Sequence, residues 1–180
     1  MKIFVETERL ILRELHQEDA QGIFELDSNP RVHTYLGNQP IQTLAEAEAV
    51  IEFIRQQYRE NGIGRWAVVE KSTGEFLGWC GLKLITEPIG GRCQYYDLGY
   101  RFIESHWGKG YATEAASATL TFGFKELQQE MIFAMAEPGN EASIHVIQKL
   151  GFSFVETFDW DDTPHHFYAL RRAQFILPTT

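Results

Sequence analysis

The stretch Leu98-Gly-Tyr-Arg-Phe-Ile-Glu-Ser-His-Trp-Gly-Lys-Gly-Tyr-Ala-Thr-Glu-Ala115 decides how the rest of the chain is read. It predicts a strand, a short turn at Gly108-Lys109-Gly110, and a helix opening at Tyr111. Two glycines around one residue let the backbone turn sharply and bring its N–H groups close to a ligand. The helix that follows adds unpaired N–H groups and the positive end of its dipole. Such a turn is an anion site, suited to phosphate or pyrophosphate. The protein is therefore expected to work with a phosphorylated cofactor.

Working outward, residues 9–13 read as a short strand. Residues 19–27 read as a helix closed by Asn29-Pro30. Thr43-Leu-Ala-Glu46 is a capping box, and the helix it opens repeats apolar residues at Leu44, Ala47, Ile51, Ile54 and Tyr58 until Gly62 stops it. The period then changes. Residues 66–70 and 76–85 are strand-like and joined by a hairpin turn, and Gly90-Gly91 turns the chain into a strand over 93–103. A helix over 111–127, a strand over 131–136, a helix over 140–150 closed by Gly151, and strands over 152–158 and 165–170 complete the order. Consecutive hairpins among helices predict an α/β fold, a single domain over 1–180 with a mixed, splayed and twisted sheet flanked by helices.

A chain of 180 residues with 44% hydrophobic residues is long and apolar enough to bury a sizeable core. Its net charge of -9, with no basic run, argues against direct nucleic-acid binding. Acidity suits a cationic acceptor, and it also serves solubility. Cys80 and Cys93 lack metal-ligand spacing, no targeting segment is visible, and no apolar run approaches a membrane span. The expectation is a cytoplasmic protein, a monomer or weak dimer, without metal and without membrane attachment. His165-His166 does not alter this, because adjacent strand residues point to opposite faces. Trp66, Trp79 and Cys80 read as core.

Three phosphate-binding readings compete for the glycine turn. A nucleotide P-loop requires Gly-x-x-x-x-Gly-Lys-Ser/Thr, which is not present. A dinucleotide fingerprint requires three glycines directly after the strand; here Thr113 holds the third position and residues 104–107 intervene. The third reading draws on more of the chain. The turn and its helix, Asp97-Leu-Gly-Tyr100 before them, Asn140-Glu-Ala-Ser143 and Lys149-Leu-Gly-Phe152 after them, and the opening Thr7-Glu-Arg-Leu-Ile-Leu-Arg13 resemble the GNAT superfamily of N-acetyltransferases. Within it, the branch these residues resemble is that of the ribosomal-protein N-terminal acetyltransferases. The family pattern is Gln/Arg-x-x-Gly-x-Gly/Ala, and Ser105 stands here at its first position.

That resemblance implies acetyl-CoA as cosubstrate and an amine acceptor, with a basic protein N-terminus as the branch-level candidate. It implies that Gly108, Lys109, Gly110, Tyr111, Ala112 and Thr113 hold the pyrophosphate. The pantetheine arm would lie along Leu98, Gly99, Tyr100, Arg101, Phe102 and Ile103, with an N–H near Leu98 or Gly99 stabilising the oxyanion. Asn140 would cap its helix and bond the arm, and Ser143 would face the thiol. Asp97 is the leading candidate for the base, because a carboxylate in an apolar-aromatic strand is costly unless used or paired. The structural alternative pairs it with Arg101, two residues along on the same face. His106 and Glu104 are rival bases expected to be solvated. The acceptor could also be a small amine such as a polyamine, amino acid or drug, and a non-catalytic acyl-CoA sensor is a third reading.

Overall fold

A computed structural model describes residues 2–176. Its strands are β1 (Ile3–Glu6), β2 (Leu10–Arg13), β3 (Arg65–Glu70), β4 (Phe76–Ile85), β5 (Tyr95–Phe102), β6 (Met131–Ala136), β7 (Ser153–Trp160) and β8 (Thr163–Arg171). The helices are α1 (Ala20–Asp27), α2 (Leu44–Asn61), α3 (Tyr111–Lys125) and α4 (Glu141–Lys149). All eight strands form one sheet in the order β1-β2-β3-β4-β5-β6-β8-β7. Neighbours are antiparallel except β5 and β6, which are parallel and share one register pair, Asp97 with Phe133. The sheet is therefore mixed, and it splays beyond Asp97.

Local chemistry accounts for most element ends. Thr43 Oγ1 accepts from the Glu46 N–H while the Glu46 carboxylate accepts from the Thr43 N–H, so the α2 capping box is closed. Gly62 ends that helix in the left-handed conformation. The bounds read for β4 and β6 match the structure residue for residue. Strand β1 was not anticipated; it is anchored by Phe4, whose ring stacks on Trp66 at 4.6 Å.

Helices cover both faces because strands β3 to β6 are apolar on both. On one face, Ile23 and Leu26 of α1 and Ile51 and Ile54 of α2 pack with Leu15 and Ala67. On the other, Ala116, Leu120 and Phe124 of α3 and Ile147 of α4 pack with Leu82, Leu98 and Ile132. Each such side chain contributes roughly 1.5–3 kcal/mol by leaving water. Among the described residues no helix is long and apolar enough to cross a membrane.

Candidate active site

Where β5 and β6 part, β5 stays paired to β4 as far as Phe102, and β6 stays paired to β8. The gap between them lies at the carboxyl ends of two parallel strands, the usual place for a ligand in an α/β sheet. A cavity of about 740 Å³ fills it, running from Tyr100, Arg101 and Phe102 to Gly108, Gly110 and the start of α3, with Asn140 and Ser143 of the α4 end opposite.

Gly108 and Gly110 have φ of +74° and +83°, conformations in which an L side chain is strained. Gly110 is the N-cap of α3 and no side chain caps that end, so the first-turn N–H groups remain available to a ligand. Tyr111, Ala112 and Thr113 line the cavity with the two glycines. Lys109 is turned differently: its carbonyl accepts from Arg9 Nη1 at 3.0 Å. Tyr111 also packs inward, donating to Glu70 Oε1 at 2.5 Å beneath the Arg9 guanidinium.

Ile103 is a correction to the expected cofactor-binding strand. Its side chain lies in the α1/α2 core, its N–H donates to Leu77, and its carbonyl accepts from His106. Its N–H is thus engaged, and Ile103 lines neither this cavity nor the smaller one beside it. His106 is a second correction, since it is buried and lies 3.3 Å from Glu75 rather than being solvated. Glu104 is half-buried, paired with Arg31 and accepting from Asn29 at 2.8 Å.

On the α4 side, Asn140 Oδ1 accepts from the Ser143 N–H at 3.2 Å, which is the helix cap expected of it. The Tyr100 hydroxyl lies 3.0 Å from Ser143 Oγ and donates to the Ser143 carbonyl at 3.1 Å. Burial raises the Tyr100 pKa, so its hydroxyl stays protonated and can serve as a proton donor. Tyr100 therefore ties β5 to α4 across the cleft.

A second cavity of about 170 Å³ adjoins the first and shares Tyr35, Leu36, Tyr100, Arg101, Asn140 and Ser143 with it. Asp97, Leu98, Gly99 and Trp79 line one wall, and Met135, Glu137, Trp160 and His165 line another. Asp97 is 5% exposed, and burial raises its pKa while the neighbouring Arg65 guanidinium lowers it. The expected Asp97–Arg101 pair does not form. Arg65 Nη2 meets Asp97 Oδ2 at 2.5 Å, whereas Arg101 Nη1 meets Asp27 Oδ1 at 2.6 Å. Asp97 Oδ1 is buried and has no hydrogen-bond partner. Such an oxygen is a buried acceptor that no other group among the described residues engages.

Sequence reasoning missed Arg65, which opens β3 one residue before the strand read over 66–70 and so did not stand out as a charge within it. Trp79 was read as core, yet its ring lines the small cavity between the Arg65 and Arg101 guanidiniums, 5.5 and 5.1 Å from its centroid. Cys80 does lie in the core, 3.4 Å from Thr119 Oγ1, with burial pushing its thiol up to about 12. The loop after Asn29 supplies Tyr35 and Leu36 to both cavities. The β4–β5 loop turns instead toward β7, where Arg92 pairs with Glu156 and Gly90 meets the Phe158 ring. Among the described residues there is no cluster of side chains able to hold a metal ion.

Residues 9–153 match the family model described as acetyltransferase (GNAT) domain. The chain is 35% identical to an uncharacterised N-acetyltransferase, p20, of Bacillus licheniformis, over 81% of this chain and 80% of that protein. It is 29% identical to the spermidine N(1)-acetyltransferase of Escherichia coli K12, over 79% of this chain and 72% of the relative. Among solved structures it resembles RimL, a ribosomal L7/L12 α-N-protein acetyltransferase in complex with coenzyme A, with a TM-score of 0.80 at 17% identity over 94% and 98% of the two chains.

Proposed function

We propose, for a chain that belongs to the GNAT acetyltransferase family and is an acetyl-CoA-dependent N-acetyltransferase, that the acceptor is a single primary amine, foremost a protein N-terminal α-amine, attacking the thioester directly. The observation that carries this reading is the joining of two cavities at the β5–β6 splay. The larger reaches the glycine turn; the smaller holds a buried carboxylate with one free oxygen.

The guanidiniums of Arg65 and Arg101 in the smaller cavity are paired with Asp97 and Asp27, so they set no net positive charge against a cationic acceptor. A polyamine is the second reading, because one relative is a spermidine acetyltransferase. Tyr35, Leu36 and Trp160 are exposed at the same cavity and offer an apolar rim on which a peptide segment can rest.

In this reading the first-turn amides of α3 and the Gly108–Gly110 backbone bind the cofactor pyrophosphate. The free edge of β5 from Leu98 to Phe102, with Asn140, orients the pantetheine arm, and an N–H near Leu98 or Gly99 stabilises the tetrahedral oxyanion. Asp97 takes the amine proton at Oδ1, directly or through water, so that the neutral amine attacks. The C–S bond breaks as the intermediate collapses, and the thiolate recovers a proton from the Ser143–Tyr100 pair or from water. We place the enzyme in the cytoplasm as a monomer or weak dimer.

Thiol release from acetyl-CoA, measured across peptides with free amino termini and across small amines with products identified by mass spectrometry, tests the acceptor. Turnover with peptides above that with spermidine supports the α-amine. The reverse order assigns a small amine, and release with neither, despite coenzyme A binding, leaves a sensor.

A further inference from the structure

Arg65 and Asp97 are held together by more than charge. In the sheet register Arg65 lies opposite Gly81, and Gly81 lies opposite Gly99, so one row crosses three strands on the face that carries Asp97. The Arg65 side chain lies along that row. A Cβ on Gly99 would meet its Nη2 at 2.6 Å and its Cζ at 2.7 Å, so a glycine is what leaves room for the guanidinium. Arg65 Nη1 donates to the carbonyls of Gly81 and Asp97, each at 2.6 Å, and Nη2 takes Asp97 Oδ2 at 2.5 Å. The carbonyl contacts anchor the guanidinium and Nη2 fixes Oδ2, which leaves Oδ1 buried without a partner on a residue that lines the smaller cavity.

We propose that Arg65 is a positioning residue for the transfer: lodged in the Gly81–Gly99 channel, it occupies Oδ2 so that Oδ1 alone is presented to the acceptor amine. The inference rests on Asp97 acting as the base. A planar guanidinium suits this task because it spans two carbonyls and a carboxylate oxygen at fixed angles, which an ammonium does not. The other charged or titratable groups around Asp97 leave this role to Arg65. Lys83 lies directly opposite on β4 and Tyr95 two residues back on β5. Arg101 is closed by Asp27, and Glu137 and His165 lie across the cavity.

The test compares Arg65→Gln, Arg65→Lys and Asp97→Asn, each with coenzyme A affinity by calorimetry and full pH–rate profiles. Losing a cation beside a carboxylate raises its pKa, so Arg65→Gln should move the acid limb of kcat/KM upward by about one pH unit or more and lower kcat at neutral pH, with coenzyme A affinity preserved. Arg65→Lys should keep the limb near the wild-type position while still lowering kcat, because it restores charge without the fork. If Asp97→Asn is slow but a folded Arg65→Gln keeps the wild-type limb and kcat, the positioning role is overturned and the base reading stands. If Asp97→Asn turns over normally, the base reading itself falls and takes this inference with it. Should Arg65→Gln fail to fold, wild-type kcat in Arg65→Lys overturns the positioning role alone.

Discussion

Arg9 and Glu114 meet across 105 residues of sequence: Arg9 Nε donates to Glu114 Oε2 at 2.7 Å and the Arg9 backbone N–H donates to Oε1 at 3.1 Å. Thr7 Oγ1 adds a bond to Oε1 at 2.6 Å, and Arg9 Nη1 reaches back to the Lys109 carbonyl. The opening Thr7-Glu-Arg segment thus clamps the glycine turn and the first turn of α3. This gives a physical reason for the two motifs to occur in one chain.

Glu114→Gln should therefore lower both thermal stability and coenzyme A affinity. Hydrogen bonds to its carboxylate hold the Glu114 pKa below the ordinary value of 4.5, against a desolvation cost. A depressed folded pKa contributes stability that is complete above the unfolded value and is lost as pH falls through the folded one. The gap in melting temperature between wild type and Glu114→Gln should be full near neutrality and shrink below about pH 4.5, as circular dichroism melts would record. A gap that persists unchanged at pH 3 would mean that the clamp works through shape, not charge.

Gly110→Val tests the anion site. Space is not the obstacle, because a Cβ there meets only Arg9 Nη2 at 3.5 Å. The φ of +83° is, and forcing an L residue into it costs on the order of 1–2 kcal/mol or moves the turn. Losing one charge-assisted amide contact to a phosphate costs about 1.5–3 kcal/mol, so calorimetry should show roughly 10- to 100-fold weaker coenzyme A binding in a folded variant. Unchanged affinity would move the pyrophosphate elsewhere.

How much of this was legible in the sequence depends on the range of each interaction. The Thr43 cap, the Gly62 stop, the limits of β4 and β6 and the glycine turn are decided within a few residues of chain, and all were readable. The partner of Asp97 was not. Arg101 was the local choice on the same strand face, but it is drawn to Asp27 of α1, and Asp97 is taken by Arg65 of β3. Both pairings depend on strand register and helix docking, which a single sequence does not display. The burial of His106 against Glu75 is of the same kind. Ile103 was assigned to the cleft by extending the strand one residue, whereas its backbone is already turning into the 3-10 segment at Glu104–His106.

Asn140→Ala should separate a cap from a ligand contact. The cap bond to the Ser143 N–H is present, and its loss costs about 1 kcal/mol of stability. Because Asn140 lines both cavities, acetyl-CoA affinity should fall as well. A lower melting temperature with unaltered affinity would make Asn140 a cap and nothing else.

Asp97→Asn carries the most weight. The substitution keeps the shape of the side chain and removes its charge, so it leaves the Arg65 guanidinium, at 12% exposure, facing an amide. Breaking a buried ion pair is destabilising whatever its role, commonly by about 3–5 kcal/mol, so a lower melting temperature cannot discriminate. Turnover per folded molecule can. Burial makes the Asp97 carboxylate a stronger base than an exposed one, and a general base typically contributes about 10²–10⁴-fold. The variant should lose activity in that range at neutral pH, keep its acetyl-CoA affinity, and recover partly at high pH where more of the amine is already neutral. A raised folded pKa also means that the fold favours the protonated carboxyl, so wild-type activity should rise with pH through a limb above the ordinary 3.8. If folded Asp97→Asn shows a wild-type pH–rate profile, the buried pair is structural. The base would then be sought at Glu137 or His165, which line the same cavity, in preference to His106 and Glu104, which are already engaged with Glu75 and Arg31.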